Sequence, residues 1–281
     1  MDYNQLTVRL PAGIDIPRLG LGTWRMGEHA ASRDAEIAAL RRGLDAGIRL
    51  IDTAEMYGEG GAEKIIAQAL SGRRDQVFLV SKVYPHNASR RGTVDACERS
   101  LRRLATDRID LYLLHWRGEH PLAETVEAFE SLVASGKIRY WGVSNLDLED
   151  MTELVRVHGG ERCQVNQLYY NLAHRGIENV VLPWQRERGI ATMAYSPIDQ
   201  GRLIKHPQLV RIARSAGTTP ARLALAWLLR QSDVITIPKA TRTAHLDDCL
   251  GAMEATLDAA TLAALDAAFP MPHSRGPLEM T

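Results

Sequence analysis

Three apolar segments of the chain each end on a group that can carry or move a proton. Leu50-Ile-Asp52 closes on a carboxylate, Val77-Phe-Leu-Val-Ser-Lys82 on an amine, and Ile109-Asp-Leu-Tyr-Leu-Leu-His115 on an imidazole. A phenol, Tyr57, lies in the loop that follows the first, Thr53-Ala-Glu-Met-Tyr-Gly58. An amine at the end of a buried strand needs a partner, because an isolated buried charge is very costly. Asp52 is the natural one. An ammonium beside Tyr57 favours the phenolate, so the tyrosine is expected to fall below its reference value of about 10 and to donate a proton near neutral pH. His115 would orient a substrate or hydrogen-bond its carbonyl oxygen. Singly, these residues have plainer readings: a structural ion pair sealing the top of a fold, and an ordinary structural histidine. As a set of four they describe a proton-transfer site.

The order of elements must bring them together. Leu6 to Leu10 and Ile14 to Leu19 flank a turn and predict a hairpin. Eight strands follow, each leading into helix: Leu19–Trp24, Leu50–Asp52, then 77–82, 109–115, 138–145, 163–170, 190–196 and 234–239. The helices are read over Ser32 or Asp34 to Ala46, then about 62–70, 90–104, 121–135, 147–157, 177–188, 207–215, 219–230, 243–252 and 260–267. Strand–helix alternation gives a parallel sheet, and eight units match a closed (β/α)8 TIM barrel with an N-terminal hairpin and extra C-terminal helices. No Gly-x-Gly-x-x-Gly joins a strand to a helix, which argues against an open doubly wound sheet. No linker or low-complexity block divides residues 1–281, which read as one barrel domain. Alternation puts Phe78, Val80 and Lys82 on one face and Leu111, Leu113 and His115 on another, so the strand-end groups point inward together.

Composition narrows the class. Of 281 residues, 45% are hydrophobic and 24% charged, enough for a full core. Thirty-four basic residues balance thirty-four acidic ones, whereas nucleic acid and anionic membrane both call for a basic surface. Neither is expected as a partner. Cysteines stand only at 97, 163 and 249, without Cys-x-x-Cys or His/Cys ligand spacing, so disulfides and metal are not expected and a reducing compartment fits. Met1-Asp-Tyr-Asn leads into no apolar segment, so no signal peptide is expected. No apolar run approaches the ~18 residues of a membrane span. The expectation is a cytoplasmic protein acting as a monomer.

Gly22-Thr-Trp24, Asp-Thr-Ala-x-x-Tyr57-Gly, Ser-Lys82, Leu-Leu-His115, Gly142-Val-Ser-Asn145, Asn166-Gln167, Ala-Tyr195-Ser-Pro197 and Ile-Pro-Lys239 together resemble the aldo-keto reductases. The resemblance runs from about Leu19 to Leu265. It implies a barrel that reduces carbonyls with a nicotinamide cofactor and without metal. By position it makes Tyr57 the general acid, tuned by Lys82 and Asp52, with His115 orienting the substrate. Ser144, Asn145 and Gln167 would hold the carboxamide and Tyr195 would stack on the nicotinamide ring. Gly22, Thr23, Trp24 and Asp52 would line the cofactor site. Ser196, Pro197, Ile198, Gly201 and Arg202 would meet the pyrophosphate, and Lys239, Ala240, Thr241, Arg242, His245 and Asp248 the adenosine end.

One departure bears on the cofactor. Many NADPH-preferring members carry a small hydroxyl residue after the lysine, an arginine six residues past it and then an acid–asparagine pair; here Ala240, His245, Asp248 and Cys249 stand there. A guanidinium makes fixed bidentate contacts that imidazole cannot, while Lys239 and Arg242 still supply positive charge. NADPH is expected first, with NADH or dual use behind it. Trp24, Tyr84 and Trp116, with His115, suggest an aromatic-lined pocket for small aldehydes and ketones. Only about ten residues follow the last helix, too few for an elaborate closing loop, so an open, promiscuous site is expected. Asp-Thr-Ala-Glu-Met-Tyr57, Ser-Lys82-Val-Tyr-Pro and Tyr-Leu-Leu-His115-Trp look most like the bacterial branch active on methylglyoxal and aromatic aldehydes. The alternatives are a cofactor-binding regulatory subunit without turnover, a barrel that merely accumulates, and a lyase or isomerase using Lys82 as a Schiff-base amine.

Overall fold

A computed structural model describes residues 6–273 and 276–281. The stretch Met1–Asn4, on which the signal-peptide expectation rests, lies outside them. The hairpin pairs β1 (Thr7–Arg9) with β2 (Asp15–Pro17), Val8 opposite Ile16. Eight parallel strands then stand side by side in chain order: β3 (Leu21–Gly22), β4 (Leu50–Asp52), β5 (Phe78–Val83), β6 (Ile109–Leu114), β7 (Ile138–Ser144), β8 (Val165–Tyr169), β9 (Ala191–Tyr195) and β10 (Val234–Thr236). A bridge from Leu19 to Thr236 joins the first of these to the last and closes the ring. Around it lie α1 (Arg33–Asp45), α2 (Gly61–Ala69), α3 (Arg90–Leu104), α4 (Leu122–Ala134), α5 (Leu148–Leu154), α6 (Val181–Glu187), α7 (Pro207–Ser215), α8 (Pro220–Leu229), α9 (Thr243–Glu254) and α10 (Ala259–Ala268). The result is the (β/α)8 barrel expected from the alternation.

Period two sorts the strand side chains. Leu50, Val80, Leu111, Leu113, Val165, Met193 and Ile235 fill the lumen, in one buried cluster with Val8, Leu10 and Ile16 of the hairpin. Their neighbours Ile51, Leu79, Tyr112, Leu114 and Val143 face outward into the layer under the helices. The hairpin turn reaches the amino end of β8, where Ala12 N–H donates to Gln164 Oε1 at 2.8 Å. The hairpin therefore plugs the floor and leaves the carboxyl-end rim for chemistry. Burying one leucine of this lumen contributes about 1.5–3 kcal/mol.

Arg18 fastens the seam. Its Nε donates to the Val234 carbonyl at 3.2 Å, and its Nη2 donates to the carbonyls of Leu229 and Gln231. Leu229 ends α8, where unpaired carbonyls and the negative end of the helix dipole favour a cation. Several elements are shorter than the sequence reading, among them β10, which ends at Thr236 rather than 239, and α5, which ends at Leu154 rather than 157. β3 ends at Gly22, where Thr23 N–H makes the last ladder bond to the Asp52 carbonyl (3.1 Å) and Thr23 Oγ1 donates to the same carbonyl (2.9 Å). The helix expected over 177–188 starts only at Val181, after a 3-10 turn over Gly176–Asn179. No helix among the described residues is long and apolar enough to cross a membrane.

Candidate active site

The carboxyl ends of β4, β5 and β6 bring Asp52, Lys82 and His115 to one place, with Tyr57 over them. Lys82 is fully buried and Asp52 is 2% exposed. Lys82 Nζ donates to Asp52 Oδ1 at 2.8 Å, to the Thr53 carbonyl at 2.7 Å and to Tyr57 Oη at 3.3 Å. Three acceptors match the three protons of an ammonium, and that holds the charge even though burial draws the amine below the usual lysine range. Burial pushes the Asp52 carboxyl up while Lys82 and Gln167 hold it down.

Glycine fixes the loop that carries Tyr57. Gly58 has φ of +57° and its missing Cβ would sit 2.9 Å from the Met26 carbonyl; a Cβ at Gly27 would lie 2.3 Å from the Gly61 backbone. The Tyr57 loop is thereby pressed against the loop after β3 with no room for side chains between them. Glu55, in the same loop, accepts from Tyr84 N–H at 2.9 Å and Asn87 Nδ2 at 3.0 Å, tying it to the loop after β5. The sequence reading missed Glu55, whose role depends on where two loops meet.

The tyrosine's electrostatics overturn one expectation. The phenol stands well above 10, first because it is buried and second because the Asp52 charge lies near. The sequence argument weighed the Lys82 charge and could not weigh the loss of water, which penalises phenolate more. Tyr57 is a fully protonated phenol. Burial also pushes His115 well below the ordinary histidine range, with the Lys82 charge adding to it, so its ring is neutral. Its Nδ1 is sealed without a partner, leaving Nε2 as the nitrogen for a ligand.

The ends of β7, β8 and β9 form the opposite side of the rim. Ser144 Oγ and Asn145 N–H both donate to the Gln167 carbonyl at 2.9 Å. Asn145 Nδ2 donates to the His115 carbonyl at 3.1 Å and Ser144 Oγ at 3.0 Å, and Asn145 Oδ1 accepts from Tyr195 Oη at 2.9 Å. Tyr195 stacks on Tyr169, ring centres 5.6 Å apart, and burial pushes its phenol up to about 12. In the segment Ser196 to Arg202, Ser196, Asp199 and Gln200 all have positive φ, and Asp199 grips Arg202 at 2.9 and 2.6 Å. Pro197 is buried, Ile198 lies against two core clusters and Gly201 N–H donates to the Ile198 carbonyl.

After β10, Gly22 N–H reaches the Pro238 carbonyl at 3.0 Å, Ala240 is buried, and the Thr241 carbonyl accepts from Arg42. Lys239 is half-buried, and burial lowers its amine. Arg242 Nε donates to His245 Nε2 at 3.1 Å. The Asp248 carboxylate turns to Thr219 Oγ1 at 2.7 Å.

Of the aromatic residues, Tyr84, His115 and Trp116 form one wall: His115 and Trp116 are 4.8 Å apart and Tyr84 and Trp116 5.7 Å, centre to centre. Trp24 stands apart, half-buried under the Arg25 guanidinium at 4.4 Å. The short tail does more than the sequence predicts. Arg175 and Asn179 hold the carbonyls of Phe269 and Pro272, and Glu279 Oε2 comes within 3.2 Å of His174 Nδ1.

Residues 18–269 match the model of the aldo/keto reductase family. The chain is 48% identical to methylglyoxal reductase YeaE of Escherichia coli (strain K12), over 99% of each chain. It is 33% identical to glyoxal reductase of Bacillus subtilis (strain 168), over 84% of this chain and 83% of that one. A crystal structure of an aldo/keto reductase from Klebsiella pneumoniae in complex with NADP and acetate superposes with a TM-score of 0.95 at 51% identity, covering 98% of this chain and 99% of that one. The chain belongs to the aldo/keto reductase family.

Proposed function

We propose that this barrel reduces small aldehydes and ketones, 2-oxoaldehydes such as methylglyoxal foremost, with NADPH. One observation carries the reading: Lys82 Nζ bridges Asp52, Thr53 and the Tyr57 hydroxyl beside a neutral His115. The cofactor, when bound, supplies a hydride to the carbonyl carbon. His115, with its proton on Nε2, donates to the carbonyl oxygen and polarises it. Tyr57 gives its hydroxyl proton to that oxygen as negative charge gathers there. The elevated phenol remains an adequate acid, because the alkoxide that forms is a base of about the strength of hydroxide. Lys82 offsets the phenolate left behind.

The residues present suit a nicotinamide dinucleotide. Hydroxyl and amide groups of Ser144, Asn145 and Gln167 cluster at the rim beside the Tyr195 ring. The strained backbone at Ser196, Asp199 and Gln200 is of the kind that functional loops retain. Arg202, Lys239 and Arg242 offer positive charge to phosphates. His245 replaces a guanidinium, so NADH is the slower second cofactor. The name of the E. coli relative agrees with methylglyoxal as substrate, and the NADP-bound Klebsiella structure with NADPH as the first cofactor. One barrel holds every group invoked, and the three cysteines are buried free thiols, in keeping with a single-domain monomer in the cytoplasm.

Loss of NADPH absorbance on adding methylglyoxal, with an aldehyde panel and NADH in parallel, tests the assignment. Cofactor binding without turnover of any carbonyl would overturn it in favour of a regulatory subunit.

A further inference from the structure

Asp52 and Gln167 face each other across the barrel. β4 and β8 are the second and sixth of eight strands in spatial order, which places them on opposite sides of the ring. Gln167 Nε2 nevertheless reaches Asp52 Oδ2 at 2.8 Å. The two carboxylate oxygens are thus divided, Oδ1 to the Lys82 ammonium at 2.8 Å and Oδ2 to the glutamine amide. Among the described residues no other side chain donates to Oδ2. We propose that Gln167 is a positioning residue of the proton-delivering set, holding the Asp52 carboxylate ionised and aligned so that Lys82 stays charged beneath Tyr57.

Several observations support the assignment. Asp52 and Gln167 are each 2% exposed, so water cannot stand in for a lost partner. The amide orientation is set by chemistry, because only the nitrogen end can face a carboxylate oxygen. The backbone of Gln167 is locked, its carbonyl accepting from both Ser144 Oγ and Asn145 N–H. Nε2 also lies against Met193 Sδ, so both amide protons are engaged. Oε1 accepts from no group among the described residues and stays available to a carboxamide. The two roles use opposite ends of one amide, and one side chain touches both halves of the site.

The charged and titratable groups around Asp52 are Lys82 from β5 and the Tyr57 phenol from its own loop, with Glu63 of α2 and His115 after β6 acting on Lys82. A hydrogen bond to the ionised form keeps a carboxyl's pKa down. Without it a proton settles on Asp52 Oδ2 at a higher pH, and Lys82 loses the charge that pairs with it.

This rests on the reading of Tyr57 as the acid, and the experiment separates the two. Gln167→Met keeps the volume and removes the donor. At saturating NADPH, its kcat for methylglyoxal should fall about tenfold near neutrality, and the acidic limb of the kcat profile should move up by about one to two pH units, the worth of a hydrogen bond to a charge. A second readout needs no turnover. Because the folded-state carboxyl rises further above its unfolded value, the stability lost lies at high pH, so the gap between wild-type and variant urea midpoints should widen from pH 5 to pH 8. Gln167→Glu guards against poor folding of the first variant. A proton shared by the two carboxyls restores the bond only in acid, so its activity should decline with rising pH where the wild type holds. Weaker NADPH binding with wild-type pH profiles in both variants would overturn the proposal and leave Gln167 a cofactor contact. Full activity in Tyr57→Phe would instead overturn the reading beneath it.

Discussion

Lys82 Nζ lies 3.3 Å from the Tyr57 hydroxyl oxygen and 4.9 Å from the centre of its ring. One cation therefore meets both the polar tip and the π-face of the same side chain. The ring contact persists through the reaction, whereas the contact to oxygen strengthens as the proton leaves. Only the second can lower a barrier.

Tyr57→Phe isolates it, because the ring and its cation remain and only the hydroxyl goes. Steady-state rates with methylglyoxal should show kcat reduced about 10²- to 10⁴-fold. NADPH affinity, read by quenching of protein fluorescence, should stay within about twofold. A variant that keeps a tenth of the wild-type kcat would remove Tyr57 from the mechanism.

Lys82→Met leaves the Asp52 carboxylate buried with Gln167 as its remaining side-chain partner. Breaking a buried pair from one side costs about 3–5 kcal/mol, and urea unfolding should register a loss of that order. Lys82→Met combined with Asp52→Asn removes the stranded charge as well and should recover most of the stability, though no activity. Additive losses in the double variant would mean that the two residues do not act as a pair.

The depressed His115 value makes a statement about acid stability. A histidine kept neutral in the fold contributes fully above its unfolded value of about 6.5, and the contribution is lost as pH falls from there towards the lower folded value. His115→Gln should therefore flatten the fall in unfolding free energy between pH 7 and pH 5. An equally steep fall in the variant would show that His115 protonates freely in the native state.

Strand ends were the legible part of the site. Asp52, Lys82 and His115 each interrupt an apolar run at its last position, and that signal survives without any knowledge of packing. Burial was not legible. The same four residues give a lowered phenol if charges are counted and a raised one once water is removed, as Tyr57 is. Contacts that cross the ring were equally hidden: nothing local to Gln167 points to a residue 115 positions away. Glu55 read as one more loop acid, although it joins two loops. The tail's ties were hidden as well, since nothing local to Glu279 points to His174.

Arg18 belongs to the same hidden class, and its placement decides what kind of object the molecule is. A cylinder of strands has no free border only while its first and last staves are joined, and here that junction is a bridge, backbone bonds from Gly20 to Thr236, Thr236 to Arg18 and Gly22 to Pro238, and one guanidinium. Arg18→Ala should leave the backbone bonds of the seam in place but weaken it, so that it opens more often. While open, β3 and β10 offer unpaired backbone to neighbouring molecules, and light scattering during refolding should rise more steeply with protein concentration than in the wild type. On this view one narrow seam separates a self-contained vessel from a sheet open to polymerisation.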